Sequence, residues 1–201
     1  MSEDLSKLHV LLLDDNRNFL SILRSVLRDF GIRDIVEFTS PVAALEYLRN
    51  TPVHIALIDL AMPEMNGLEF ADRVRRMTDA ANPFMPMIMI TGHADRSLVQ
   101  KVINHGIEGL LVKPLRPSAL KDRIVALASR PRHYVRTKTG YFGPDRRRRD
   151  DPAYSGGERR KDELAEKIRR PGVVNDMPNP KWIPVGTAKR PQDEHDTFII
   201  D

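Results

Sequence analysis

The sequence predicts an α/β fold, a doubly wound five-stranded parallel sheet with a largely irregular C-terminal tail. Three observations predict it. Short apolar runs alternate five times with apolar residues at helical spacing within about 125 residues. The runs are apolar along their whole length, as in strands covered by helices on both faces. Four of them end in polar residues, and sheets of this kind bind ligands beyond the carboxyl ends of their strands.

Each element has its own local signal. Residues 8–13 form a first buried strand that ends in Asp14-Asp15. Phe19, Ile22, Leu23, Val26, Leu27 and Phe30 then recur at helical spacing until Gly31 stops the helix. Residues 35–38 are a second strand. Ser40 and Pro41 open the next helix as N-cap and first helical residue, with Val42, Leu45 and Leu48 on one face. Residues 54–58 form a third strand that ends at Asp59, and 68–77 a helix. Residues 85–90 form a fourth strand that ends at Thr91. Leu98, Val99, Val102 and Ile103 form a helical stripe. Residues 109–112 are a fifth strand, ending at Lys113, and 118–127 a closing helix with Leu120, Ile124 and Leu127 on one face.

The pattern collapses after Arg130. Residues 1–130 carry 16 basic and 16 acidic residues, whereas the remaining 71 carry 16 basic and 12 acidic residues and 8 of the 15 prolines. The net charge of +4 therefore belongs to the second part, where an anionic partner would be sought. The division expected is a domain over 1–130 and an arginine- and proline-rich extended tail over 131–201, with only 163–168 briefly helical in pattern. The chain has no cysteine, which excludes disulfides and thiolate metal sites and fits a reducing compartment. The acidic start Met1-Ser2-Glu3-Asp4 does not read as a signal peptide, and the apolar runs at 10–13 and 84–90 are too short to cross a bilayer. A cytoplasmic location without a membrane span is expected.

Asp14-Asp15, Asp59, Thr91 and Lys113 follow four different strands. Alone, each reads as a cap or a turn residue. Together on one sheet edge they make a site. Three neighbouring carboxylates repel one another and need a cation, and their hard oxygens suit Mg²⁺ that keeps some of its waters. The lysine adds fixed positive charge and the threonine a hydroxyl donor, which together suit a phosphoryl group.

These residues carry a resemblance. Residues 8–127 resemble the CheY-like receiver domains of response regulators in two-component systems, which have a flavodoxin-like fold. The matching features are Asp14-Asp15, the run Asp59-Leu60-Ala61-Met62-Pro63-Glu64-Met65-Asn66-Gly67, then Thr91-Gly92 and Lys113-Pro114. The resemblance implies a phosphorelay signalling protein, not an enzyme beyond its own phosphotransfer and slow dephosphorylation. Asp59 would take a phosphoryl group from a histidine kinase or phosphotransfer protein. Asp15, Asp59 and the carbonyl of Ala61 would hold Mg²⁺, with Asp14 acting through a bound water. Lys113 would pair with Asp59 and then with the phosphoryl oxygens, Thr91 would donate its hydroxyl, and the Lys113–Pro114 bond would be cis. Leu110 stands where the family usually has Tyr or Phe, so the aromatic readout of phosphorylation is expected to be weaker or different.

The tail holds an internal repeat. Tyr141-Phe142-Gly143-Pro144-Asp145-Arg146-Arg147-Arg148 aligns with Tyr154-Ser155-Gly156-Gly157-Glu158-Arg159-Arg160-Lys161 at a constant offset of 13. A solvated basic linker is the plain reading. Arginines that bind phosphate and guanine, an acid for guanine's edge, tyrosine for stacking and glycine for close backbone approach suit a small anionic guanine nucleotide. The segment resembles the arginine-rich extension of the Cle group, CheY-like proteins that bind cyclic di-GMP. That resemblance implies contacts from Tyr141, Asp145, Arg146, Arg147, Arg148 and Arg149, a second set from Glu158, Arg159 and Arg160, and a target protein such as the flagellar motor. No helix-turn-helix pattern follows the domain, so specific DNA binding is not expected. Two alternatives stand beside this reading. One is a stand-alone receiver that signals only through protein contacts, its tail a docking segment or linker. The other is a basic tail that binds nucleic acid without specificity. Residues 181–185 and 197–201, apolar at intervals, could dock on the receiver, on a partner or on neither.

Overall fold

The computed structural model describes residues 5–77, 82–129, 132–138 and 140–145, and the backbone of two further strands. The elements run β1 (His9–Leu13), α1 (Arg17–Asp29), β2 (Asp34–Phe38), α2 (Pro41–Asn50), β3 (Ile55–Asp59) and α3 (Gly67–Arg75), then a 3-10 turn (Asn82–Phe84). They continue with β4 (Met87–Thr91), α4 (Arg96–Asn104), β5 (Gly109–Val112) and α5 (Pro117–Ser129). β6 (Tyr134–Thr137), β7 (Phe142–Pro144), β8 (Leu164–Ile168) and β9 (Thr197–Ile199) follow.

The main sheet has the order β2-β1-β3-β4-β5-β9. Its first five strands are parallel, as the sequence predicts, and β9 pairs antiparallel with β5. The order reverses between β1 and β3, so Asp14 and Asp59 flank the switch point where such sheets bind ligands. Alternate strand residues serve opposite faces. Val10, Leu12, Leu57, Ile88 and Ile90 pack under Leu20, Leu23 and Leu27 of α1 and Leu120 and Ile124 of α5. Leu11, Leu13, Ala56, Ile58, Met87 and Met89 pack under Ala44, Leu48, Phe70, Val74 and Val102 of α2, α3 and α4. Helix starts are fixed locally. Asn16 caps α1, Ser40 with Pro41 opens α2, Asn66 and Glu69 form a capping box on α3, and Asp95 caps α4.

Two features depart from the sequence reading. Ordered structure continues past Arg130, because β6 and β7 form an antiparallel hairpin seated on the receiver. Fully buried Tyr134 stacks edge-on with Phe84 and tilts against Phe142, and its hydroxyl donates to Glu108. The segment 164–168, helical in pattern, is instead strand β8, paired antiparallel with β6. Five residues cannot hold an isolated helix in water, so the open hydrogen-bonding edge of β6 decides their conformation. The tail segment 197–199 docks on the receiver as β9, one of the expected alternatives. Residues 181–185 lie outside the described residues.

The hairpin sits so close that glycine is required. A Cβ at Gly143 would lie 2.5 Å from the Tyr141 hydroxyl oxygen and 2.6 Å from the Gly106 Cα. Gly143→Ala is expected to cost about 1–3 kcal/mol through overpacking. Hydrogen exchange should quicken across 134–144 before it changes in β1–β4, and unchanged exchange there would contradict this packing.

Candidate functional site

The site lies at the carboxyl ends of β1, β3, β4 and β5. Each residue arrives because a buried strand runs out beneath it. The Lys113 ammonium donates to Asp14 Oδ2 at 2.9 Å and to Asp59 Oδ1 at 2.6 Å. The two carboxylate side chains are 3% and 7% exposed and the lysine 29%, so one cation at the rim serves two buried anions. Burial pulls the Lys113 ammonium's pKa down. The hydrogen bonds and charges of Asp59 and Asp14 outweigh that pull and hold it above its usual 10.5. The Phe19 ring lies 4.0 Å from the same ammonium, a cation–π contact.

The remaining carboxylate oxygens are held by backbone. Asp14 Oδ1 accepts from the Asn16 N–H at 2.8 Å, and Asp59 Oδ2 from the Ala61 N–H at 2.7 Å. The loop after β3 closes tightly. Glu64 adopts φ 68°, and the Gly67 N–H donates to the Leu60 carbonyl at 3.0 Å. A Cβ at Gly67 would lie 2.5 Å from the Asp59 carbonyl oxygen, so only glycine fits beside the acid. Lys113–Pro114 is cis, as the resemblance implies. The Lys113 N–H donates to the Thr91 carbonyl at 2.7 Å and ties β5 to β4 where both strands end.

The predicted site residues divide into three groups. Asp14, Asp59 and Lys113 are in direct contact. Asp15 is exposed beside them, and the Thr91 hydroxyl donates to the His93 carbonyl at 2.8 Å. Among the described residues, no three acidic or histidine side chains stand at metal-holding spacing. The carboxylates brought together are two, Asp14 and Asp59. Sequence reading placed Phe19 only in a helix stripe and did not link it to Lys113. Nothing in its spacing marks it, except that it lies one turn beyond the acidic pair.

Tyr141 and Asp145 lie elsewhere. The hairpin packs on Gly106 and Glu108, just before β5 begins, at the opposite end of the sheet from Lys113. Tyr141 donates its hydroxyl to the Pro144 carbonyl at 3.0 Å, and the Asp145 N–H donates to the His133 carbonyl at 2.7 Å. In the first repeat, the spacing of Tyr141 and Gly143 thus serves packing within the chain. Arg146, Arg147, Arg148, Arg149, Glu158, Arg159 and Arg160 lie outside the described residues. No described helix is long and apolar enough to cross a membrane.

Known proteins share this architecture. The chain is 34% identical over 117 residues to RpfG, a cyclic di-GMP phosphodiesterase response regulator of Xanthomonas campestris, a match spanning 58% of this chain but 30% of that protein. It is 32% identical over 116 residues to the chemotaxis protein CheY1 of Helicobacter pylori, 57% of this chain and 92% of that one. The chemotaxis response regulator CheY4 of Vibrio cholerae superposes with a TM-score of 0.54 at 26% identity, covering 59% of this chain and 96% of that one. Residues 10–125 match the response regulator receiver domain, and the chain belongs to that family, whose members are signalling domains phosphorylated on an aspartate.

Proposed function

We propose that Asp59 is the phosphoacceptor of this receiver. The observation that carries the reading is the Lys113 ammonium shared between Asp59 and Asp14 at the sheet's switch point. An Asp59 oxygen attacks the phosphorus of a histidine kinase's or phosphotransfer protein's phosphohistidine. A P–O bond forms as the P–N bond breaks, and the histidine nitrogen leaves with its electron pair. Lys113 stays with the developing phosphoryl charge, and Thr91 turns its hydroxyl from His93 towards it. The work is positioning and charge neutralisation. Asp15, Asp59 and the Ala61 carbonyl, with Asp14 through a water, would hold Mg²⁺, which would neutralise phosphoryl charge. The donor set fits, because two buried carboxylates, Asp14 and Asp59, share a single ammonium, and exposed Asp15 follows Asp14 in the chain. The protein works in the cytoplasm. Incubation of the whole chain with Mg²⁺ and acetyl phosphate is expected to add one phosphoryl group to the peptide containing Asp59. No adduct there, or one that survives Asp59→Asn, would reject the assignment.

The tail reading goes further. Tyr141, Asp145, Arg146, Arg147, Arg148 and Arg149 bind cyclic di-GMP, with Glu158, Arg159 and Arg160 as a second set, and the complex addresses a target protein such as the flagellar motor. What supports it is the repeat, together with a hairpin whose last strand ends at Pro144, two residues before the arginine run in the sequence. Calorimetric titration with cyclic di-GMP is expected to give saturable heat below about 100 μM ligand. No heat in that range would remove the nucleotide. The alternative, a tail that docks on protein, is favoured by β9 on the edge of β5. Leu110, fully buried in the same cluster as Val102, stands where the family usually has an aromatic, so coupling from Asp59 to the α4 face is weaker or takes another route.

A further inference from the structure

The structure assigns the edge of β5 as a strand-acceptor site that this chain's own C-terminal strand occupies and guards. The site takes an extended segment antiparallel to Gly109–Val112, in the register Gly109↔Ile199, Leu110↔Phe198, Leu111↔Thr197. Its resident is made of aromatic and β-branched residues, Thr197-Phe198-Ile199. The partner it fits is an extended segment of the same chemistry in another protein, which must displace β9 to bind.

The two edges of the parallel sheet are built differently. At the β2 edge, Asp34 is exposed and Glu37 is paired with Arg24 at 2.9 Å. Charge on an edge strand discourages added strands. β5 carries no charged residue over its four positions, and three of the four are buried. The charged residues that bracket it are both turned inward. Glu108 accepts from the Met87 N–H at 2.8 Å and from Arg75 at 3.2 Å, and also from Tyr134. Lys113 is committed to Asp14 and Asp59. Nothing on β5 opposes an incoming strand, and its backbone offers a row of donors and acceptors.

β9 is also suited to leave. Only three residues of it pair with β5, whereas β1 and β2 pair over five. Ile168 and Thr197 are separated by 28 residues in the sequence, enough chain length for β9 to detach while β8 stays paired. A short pairing between segments of one chain favours the bound state through local concentration and is open to competition. This inference stands whether or not the tail binds a nucleotide.

The test uses the full chain carrying Thr197→Pro and Phe198→Pro together. Successive N–H groups of a strand alternate in direction, so one of the two prolines must remove a donor facing β5. The probe is a fluorescent peptide with the sequence of residues 194–201, followed by anisotropy. The proline chain is expected to bind it at least about tenfold more tightly than the wild-type chain, whose own β9 competes. A peptide with the same two prolines should bind neither. Equal affinity for the two chains, no binding to the proline chain, or equal binding of the proline peptide would overturn the assignment. Hydrogen exchange without peptide gives a second readout. Exchange over 109–112 should quicken in the proline chain while β1–β4 stay protected, and unchanged exchange at β5 would also overturn it.

Discussion

Replacing Arg75 with methionine is expected to destabilise the fold by about 3–5 kcal/mol, seen as a lower urea midpoint at neutral pH. The Arg75 side chain is 4% exposed and that of Glu108 3%. Its guanidinium donates to the carbonyls of Pro83 at 2.7 Å, Met85 at 2.8 Å and Gly106 at 2.6 Å, and to Glu108 Oε2 at 3.2 Å. It also lies 5.2 Å from the centroid of the Tyr134 ring. Methionine fills most of the volume but leaves Glu108 as a buried anion without its cation and three carbonyls without their donor. The first loss dominates, because an uncompensated buried charge costs several kcal/mol whereas a lost neutral hydrogen bond costs about 1. Arg75→Met with Glu108→Gln should therefore recover part of the loss, a coupling that a double-mutant cycle reads directly. A double variant no more stable than Arg75→Met alone would show that the carbonyl contacts, not the ion pair, carry the effect. The hairpin should loosen first, since Tyr134 is held by both partners.

The contrast between this network and the phosphoryl site explains what the sequence reveals. Asp14, Asp59, Thr91 and Lys113 each follow a buried apolar run, and a parallel sheet puts the ends of such runs on one edge. Their convergence was therefore legible before any geometry. Arg75, Glu108 and Tyr134 come from a helix end, a loop and the tail, and no period links them. Nothing in the sequence singles out Arg75 or Glu108, because their contacts involve a hairpin too short to leave a pattern. β6 is four residues and β7 three, with a proline and a glycine in the latter. The glycine of the repeat was legible as a site of close approach, but the sequence reading gave the approach to a nucleotide. In the first copy it is Gly106 and the Tyr141 ring. The helical reading of 163–168 failed because local propensity outweighed a partner strand that the sequence does not disclose.

Lys113→Ala should slow phosphorylation of Asp59 by acetyl phosphate about 100-fold or more. The lysine is the one cationic side chain hydrogen-bonded to Asp14 and Asp59 among the described residues. Without it, two buried carboxylates face each other and the incoming phosphoryl group meets their combined charge. The same change alters the response to alkali, and the sign follows from the pKa. Burial lowers the lysine's pKa, but Asp59 and Asp14 raise it further, so the net shift is upward from 10.5. A group raised in the folded state gives its full stabilisation below the unfolded value and loses it as pH climbs through the folded value. Wild-type stability should therefore decline above pH 10.5, and Lys113→Ala should remove that part of the decline. Urea midpoints between about pH 9 and 12 measure the difference. Identical alkaline slopes would mean that solvent screens the pair too well for it to matter to folding. Wild-type phosphorylation rates in Lys113→Ala would mean that the lysine holds the two acids in place and contributes nothing to the transfer.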